Sequence, residues 1–175
     1  GKQDYGHQAV AVMLSCNGIV LNYDFVMYNK SISKIDIIQN IAKELPVPPV
    51  MSYFLCDCWY VSEKIINTFA GKGYHTIGAL KTNRMLYPFG IKKKLNEFAA
   101  LLSVTHSDFH LVTVKNQKYY VYRYEGKLNG IENAVVLLSY PEKAFGIPKA
   151  LRAFLSTDVS LSTDEILSYY VCRWP

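Results

Sequence analysis

Between residues 19 and 80 apolar runs of strand length alternate with stretches of helical periodicity. That alternation restricts the chain to a few folds. The segment 51–56 is a short apolar run closed by Asp57, and 74–80 is a second such run. Before the first, Ile35, Ile38, Ile41, Ala42 and Leu45 recur at helical spacing, which predicts a helix over 34–44 with Ser33 as its cap. Leu45-Pro46-Val47-Pro48-Pro49 ends it, because proline removes a donor and clashes with the preceding turn. Between the two runs Ser62 caps a predicted helix over 63–71, closed by Gly71-Lys72-Gly73. Upstream, Asn17-Gly18 joins the runs 8–16 and 19–28. Both turn positions tolerate positive φ, so this pair predicts a tight hairpin. A strand, helix, strand, helix, strand series predicts an α/β sheet.

The second half changes character. A short helix is expected over 92–102, and a hairpin from 109–114 and 118–124 turning at Asn116-Gln117. Strands are expected over 134–140 and 151–156. This β-rich block, residues 85–160, reads as an insertion, with 1–84 and 161–175 forming the core. Ser162 and Glu165 have the separation of a capping box, which opens a helix expected over 163–174.

Composition enters as a filter. Half of the 175 residues are apolar and only 19% are charged, enough core material to exclude a disordered tail. A net charge of +5 permits a polyanionic partner without demanding one. No apolar stretch has the length of a membrane span, and residues 1–8 carry no secretory signal. Gly1-Lys2-Gln3-Asp4 reads as a cut end, so an excised piece of a longer chain is expected. Cys16, Cys56, Cys58 and Cys172 lack zinc spacing and are expected to be reduced and mostly buried. His7, His75, His106 and His110 share no metal-ligand spacing either. Nucleophile elbow, phosphate-binding glycine loop and dinucleotide fingerprint are all absent from the sequence.

Asp57 is the most informative position. It ends an expected interior strand, where open α/β sheets bind their ligands. Its neighbours Cys56, Cys58, Trp59 and Tyr60 are bulky, so the carboxylate must be solvated, cap the next helix or hold a cation. Lys81, Asn83 and Arg84 follow the strand ending at Leu80 and should emerge at the same edge, where cationic and amide groups suit a phosphate backbone. Lys92-Lys93-Lys94 is expected to be a solvated face. The run from Tyr119 to Tyr124 alternates like a strand with one aromatic face. Such a face more often packs on a core than stacks on bases.

Three stretches resemble the DDE transposases of bacterial insertion sequences, the cut-and-paste group with a ribonuclease-H-like catalytic domain. Leu55-Cys56-Asp57-Cys58-Trp59-Tyr60 resembles the segment bearing the second catalytic aspartate. Leu80-Lys81-Thr82-Asn83-Arg84 resembles the strand and basic turn that follow. Tyr170-Val171-Cys172-Arg173-Trp174-Pro175 matches the Tyr and Arg of a Tyr-Arg-Glu-Lys signature, whose glutamate would fall on the second residue after Pro175. The resemblance implies a ribonuclease-H-like mixed α/β fold in which 8–16 and 19–28 are the second and third strands and 51–56 the fourth. It makes Asp57 a catalytic, metal-binding carboxylate. It assigns Lys81, Asn83, Arg84, Tyr170 and Arg173 to DNA. It also implies Mg²⁺ or Mn²⁺ as a two-metal site in the parent, DNA ends and target as partners, a homo-oligomer, and a bacterial cytoplasmic setting without membrane or small-molecule cofactor.

The first aspartate would lie upstream of Gly1, and neither Asp4 nor Asp24 stands where it belongs. With one catalytic carboxylate, the chain alone is expected to be inactive. The missing first strand is central in this fold. The sheet is therefore expected to close with altered pairing, to take a strand from another chain, or to associate through exposed edges. Two rivals stay open: a non-catalytic DNA-binding or oligomerisation module derived from a transposase, and an unrelated α/β protein with Asp57 as a helix cap.

Overall fold

Asn17 and Gly18 both take positive φ, 50° and 79°, and turn β1 (Gln8–Cys16) back on β2 (Ile19–Tyr28) as an antiparallel pair. The computed structural model describes residues 7–104 and 107–173. The hairpin is a two-stranded sheet of its own. Next comes α1 (Lys34–Glu44), whose Ser33 hydroxyl accepts from the Asp36 N–H. The expected bounds of this helix hold, because cap and proline stop lie beside it in sequence.

β3 (Ser52–Cys56), α2 (Glu63–Ala70) and β4 (Tyr74–Leu80) follow, and β3 pairs in parallel with β4. Then come β5 (Met85–Leu86), β6 (Lys93–Lys94), α3 (Leu95–Ser103), β7 (His110–Val114), β8 (Gln117–Leu128), β9 (Ile131–Pro141), β10 (Arg152–Ser156) and α4 (Thr163–Val171). The larger sheet has the order β3-β4-β10-β9-β8-β5-β6, with β7 on β8. Among the described residues only β3 and β4 pair in parallel within it; β10 runs antiparallel to both β4 and β9. The strands of 85–160 therefore continue the sheet of β3 and β4 edge to edge.

Side chains alternate between two faces, as a pleated strand requires. On one face Cys56, Leu80, Val136, Leu138 and Leu155 pack with Leu95, Phe98 and Ala99 of α3 and Ile66 of α2. On the other, Ile77, Val135 and Leu137 pack with Ile166 and Leu167 of α4. β9 is sandwiched between them, and residues 134–140 are all buried. A third cluster joins Ile37, Ile38 and Ile41 of α1 to Ile65 and Phe69 of α2 and to Val10 of β1. Each fully buried aliphatic side chain stabilises by roughly 1.5–3 kcal/mol, so α1 is the clamp that ties the hairpin to the rest.

β1 and β3 are not hydrogen-bonded to each other, and β3 is an end of the larger sheet. Among the described residues no altered pairing joins the hairpin to β3.

Several local expectations are corrected. The helix expected from residue 92 begins at Leu95, because Lys93 and Lys94 pair with Leu86 and Met85. The second hairpin turns at Lys115 and Asn116, both at positive φ, one residue before the expected Asn116-Gln117. The last helix stops at Val171, with Cys172 as its C-cap. Cys56 is buried and Cys58 half-buried, but Cys16 and Cys172 are exposed, since one lies on the open hairpin and the other past the end of a helix. His106, Asp4, Trp174 and Pro175 lie outside the described residues.

Candidate functional site

Parallel pairing of β3 with β4 sends both chains out at the same sheet edge, with Cys56 opposite Gly78. A Cβ on Gly78 would stand 2.5 Å from Val61 Cγ2 and 2.8 Å from Cys56 Sγ. Only glycine allows this approach, and it fixes the strand end that carries Asp57. Asp57 then turns the chain: its Oδ1 accepts from the Trp59 N–H at 2.9 Å and its carbonyl from the Tyr60 N–H at 3.2 Å. The cap of α2 is Ser62, whose hydroxyl accepts from the Ile65 N–H. The helix-cap alternative for Asp57 is therefore overturned, because a nearer hydroxyl fills that position.

The other oxygen faces α4. Arg173 Nη1 is 3.8 Å from Asp57 Oδ2, with side-chain exposures of 20% for the arginine and 39% for the aspartate. A pair this open contributes at most about 1 kcal/mol. The same guanidinium lies 5.0 Å from the ring centre of Tyr170. Burial pushes the Tyr170 phenol above its ordinary value, with Arg173 pulling the other way, so it stays a neutral donor. Burial also pushes the Cys56 thiol far up, which leaves it unreactive beside Asp57.

Across the edge, Lys81 Nζ sits 4.5 Å over the ring of Trp59, and Trp59 is 71% exposed. The turn Lys81–Arg84 is closed by the Arg84 N–H to the Lys81 carbonyl, and tied to α3 by Leu95 N–H to Arg84 O and Asn96 N–H to Thr82 O. Asn83 is exposed and Arg84 half-buried, and Arg84 Nε is buried with no hydrogen-bond partner among the described residues. The structure thus brings Asp57, Tyr170 and Arg173 together and sets Lys81 beside them through Trp59. Among the described hydrogen bonds and ion pairs, neither Asn83 nor Arg84 reaches Asp57.

Three features escape local sequence reading. A cavity of about 650 Å³ opens at this edge, lined by Cys58, Thr82, Tyr119, Lys149, Arg152, Phe154 and Tyr170. Lys149 and Arg152 reach it because Ala153 of β10 pairs with Leu80, a long-range pairing that no local pattern encodes. Arg123 donates to the carbonyls of Leu161 and Val159 at 2.7 and 2.9 Å and so anchors the approach to α4. Buried Asp158 accepts from Tyr53 Oη at 2.9 Å and from Ser160 N–H and Oγ. Trp59 alone carried a signal, a large aromatic in a turn directly after the carboxylate.

The tyrosine strand faces inward as expected: Tyr122 and Tyr124 pack against Phe98. Lys92 and Lys94 are exposed, and Lys94 pairs with Glu97 at 3.4 Å. Among the described residues no three of His, Cys, Asp and Glu come together as metal ligands. Asp57 has an arginine for its nearest charge, so the described residues do not by themselves build a two-metal site. No described helix is long and apolar enough to cross a membrane.

No curated protein and no solved structure matches the chain. The family model described as the transposase DDE domain matches residues 1–175. A mixed sheet between helices, with Asp57 at the end of a strand parallel to its neighbour, agrees with the ribonuclease-H-like architecture expected of that domain. The chain belongs to the transposase DDE domain family.

Proposed function

We propose that this chain is part of a transposase catalytic domain that holds DNA at the edge where β3, β4 and α4 end. The observation that carries this reading is the Asp57–Arg173 contact. A carboxylate and a planar guanidinium meet there, and this supports a site suited to a scissile phosphodiester. Arg173 and Tyr170 contact phosphates near the cut end. Arginine suits this role because its fork matches phosphate oxygens in a bidentate way. Lys81, Asn83 and Arg84 hold the backbone alongside, and residues 85–160 are the insertion that extends the sheet past them. DDE transposase domains generally work with divalent metal, and Asp57 is the carboxylate this chain contributes to Mg²⁺ or Mn²⁺. The parent acts on DNA in the bacterial cytoplasm as a homo-oligomer, cutting and joining strands.

The test is binding of the purified 175-residue chain to a labelled duplex, with and without Mg²⁺ or Mn²⁺. Salt-sensitive binding without metal and no strand cleavage is expected. Cleavage that requires metal and disappears in Asp57→Ala overturns the expected inactivity of this chain. Absence of binding at low salt overturns the DNA reading.

A second reading, a non-catalytic DNA-binding or oligomerisation module, is favoured by the unjoined edges of β1 and β3. Unpaired edges recruit strands from other chains. It requires DNA binding or mixed oligomers that do not depend on metal, and a chain that neither binds DNA without metal nor associates in sedimentation excludes it.

A further inference from the structure

Phe89 is the most exposed large apolar residue described, at 95%. Its backbone takes the left-handed conformation, φ 53° and ψ 30°, which is sterically costly for a residue with a bulky side chain. Pro88 before it is buried, and Gly90 after it has φ 77°. Hydrogen bonds from Gly90 N–H to Tyr87 O and from Ile91 N–H to Pro88 O hold the loop tip. The Tyr87 N–H, donated to the Tyr124 hydroxyl, anchors its base. An aromatic ring is therefore fixed pointing into solvent by an ordered tip, at a conformational cost that burial does not repay.

The surroundings indicate what repays it. Ile91 is 64% exposed, Lys92 is exposed and Lys93 half-buried. The ribbon made by β5 and β6 springs from the turn that carries Lys81 and Arg84, to which Leu95 is tied. Four residues lie between Arg84 and Phe89, so the two Cα atoms are at most about 17 Å apart. An apolar point with cationic flanks fits a duplex, whose base steps accept apolar side chains while its phosphates attract lysine.

We infer that Phe89 is a wedge that enters a base step of DNA held at the Asp57 edge, with Lys92 and Lys93 on the flanking phosphates. The inference rests on the DNA-binding reading above and adds to it a deformation of the DNA. Flexible pyrimidine–purine steps are the preferred target, because they unstack at least cost.

The test uses the 175-residue chain with duplexes carrying 2-aminopurine at successive TA and CA steps. Wild-type binding is expected to raise 2-aminopurine emission about twofold or more through unstacking. Phe89→Ala should abolish that rise while keeping the salt dependence of binding, and Phe89→Leu should restore much of it. Far-UV circular dichroism checks that the variants fold, as expected for so exposed a side chain. Salt-dependent binding with no emission change, or an equal rise in Phe89→Ala, overturns the wedge and leaves the DNA reading intact. A duplex signal unchanged while Phe89→Ala turns oligomer into monomer assigns the tip to a second copy instead. No DNA binding by wild type at low salt removes both readings together.

Discussion

Arg173 Nη1 stands 3.8 Å from Asp57 Oδ2, joining the end of α4 to the end of β3. The contact is loose and partly wet, worth no more than about 1 kcal/mol, whereas a charged hydrogen bond from arginine to phosphate contributes about 1.5–3 kcal/mol. A phosphate group can therefore displace the aspartate. It follows that removing the negative charge should strengthen DNA binding. Asp57→Asn is expected to raise affinity for a duplex roughly two- to tenfold at low salt, read by fluorescence anisotropy. A loss of affinity would show that the carboxylate supports, rather than competes for, the phosphate site.

Lys81 Nζ lies over the Trp59 ring at the same edge as a cation–π contact. Stacking of one base on an exposed aromatic is worth about 1–3 kcal/mol. Trp59→Ala should weaken binding to single-stranded DNA by roughly five- to a hundredfold, while urea unfolding changes little because the ring is 71% exposed. Equal affinities for wild type and variant would remove Trp59 from the interface.

Gly78 is the close-approach point beneath Asp57. Gly78→Ala forces its methyl against Val61 and Cys56, and overpacking of this kind costs about 1–3 kcal/mol. Urea denaturation should show the midpoint shift with an unchanged slope. Full stability in the variant would mean that the two strand ends are free to separate.

Asp158 supplies an acid-sensitive element. Burial works to raise its pKa, but hydrogen bonds from Ser160 and Tyr53 outweigh that and hold it below its ordinary value near 3.8. A lowered folded pKa stabilises the protein above the unfolded value, and this contribution is lost as pH falls below about 3.8 through the folded value. At pH 7, Asp158→Asn should cost roughly 2–3 kcal/mol. The difference from wild type should shrink toward zero in unfolding curves taken at progressively lower pH. A difference independent of pH would assign the loss to packing.

The cysteines give a chemical check on the fold. Cys16 and Cys172 should react quickly with a maleimide under native conditions, Cys58 more slowly, and Cys56 only after unfolding, because it is buried and its thiol is pushed up. Mass spectrometry of the labelled peptides reads the order. Rapid native labelling of Cys56 would contradict the packing of β3 on β4.

What sequence made legible was what neighbouring residues decide. Ser33, Ser62 and the Ser162/Glu165 box fixed three helix starts, and Asn17-Gly18 fixed a hairpin, because each is a local hydrogen-bond or φ requirement. Asp57 was visible as the carboxylate ending an apolar run. Arg173 was visible through its spacing from Tyr170 and the resemblance that spacing carries. Lys149, Arg152, Arg123 and Asp158 were not visible, since each matters only through a partner far along the chain. The run 134–140 read as a strand, but nothing in it disclosed that β10 would join it to β4. β5 and β6, two residues each, were too short for periodicity to register, and the exposed ring of Phe89 between them looked like any apolar residue.

The most direct measurement is a titration of one labelled duplex with wild type and Arg173→Ala across a salt series from about 50 to 300 mM. The logarithm of affinity should fall linearly with the logarithm of salt. For Arg173→Ala it should start roughly tenfold lower, with a slope less negative by about 1, the signature of one lost phosphate contact. Superimposable lines for the two proteins would contradict the assignment of this edge to DNA.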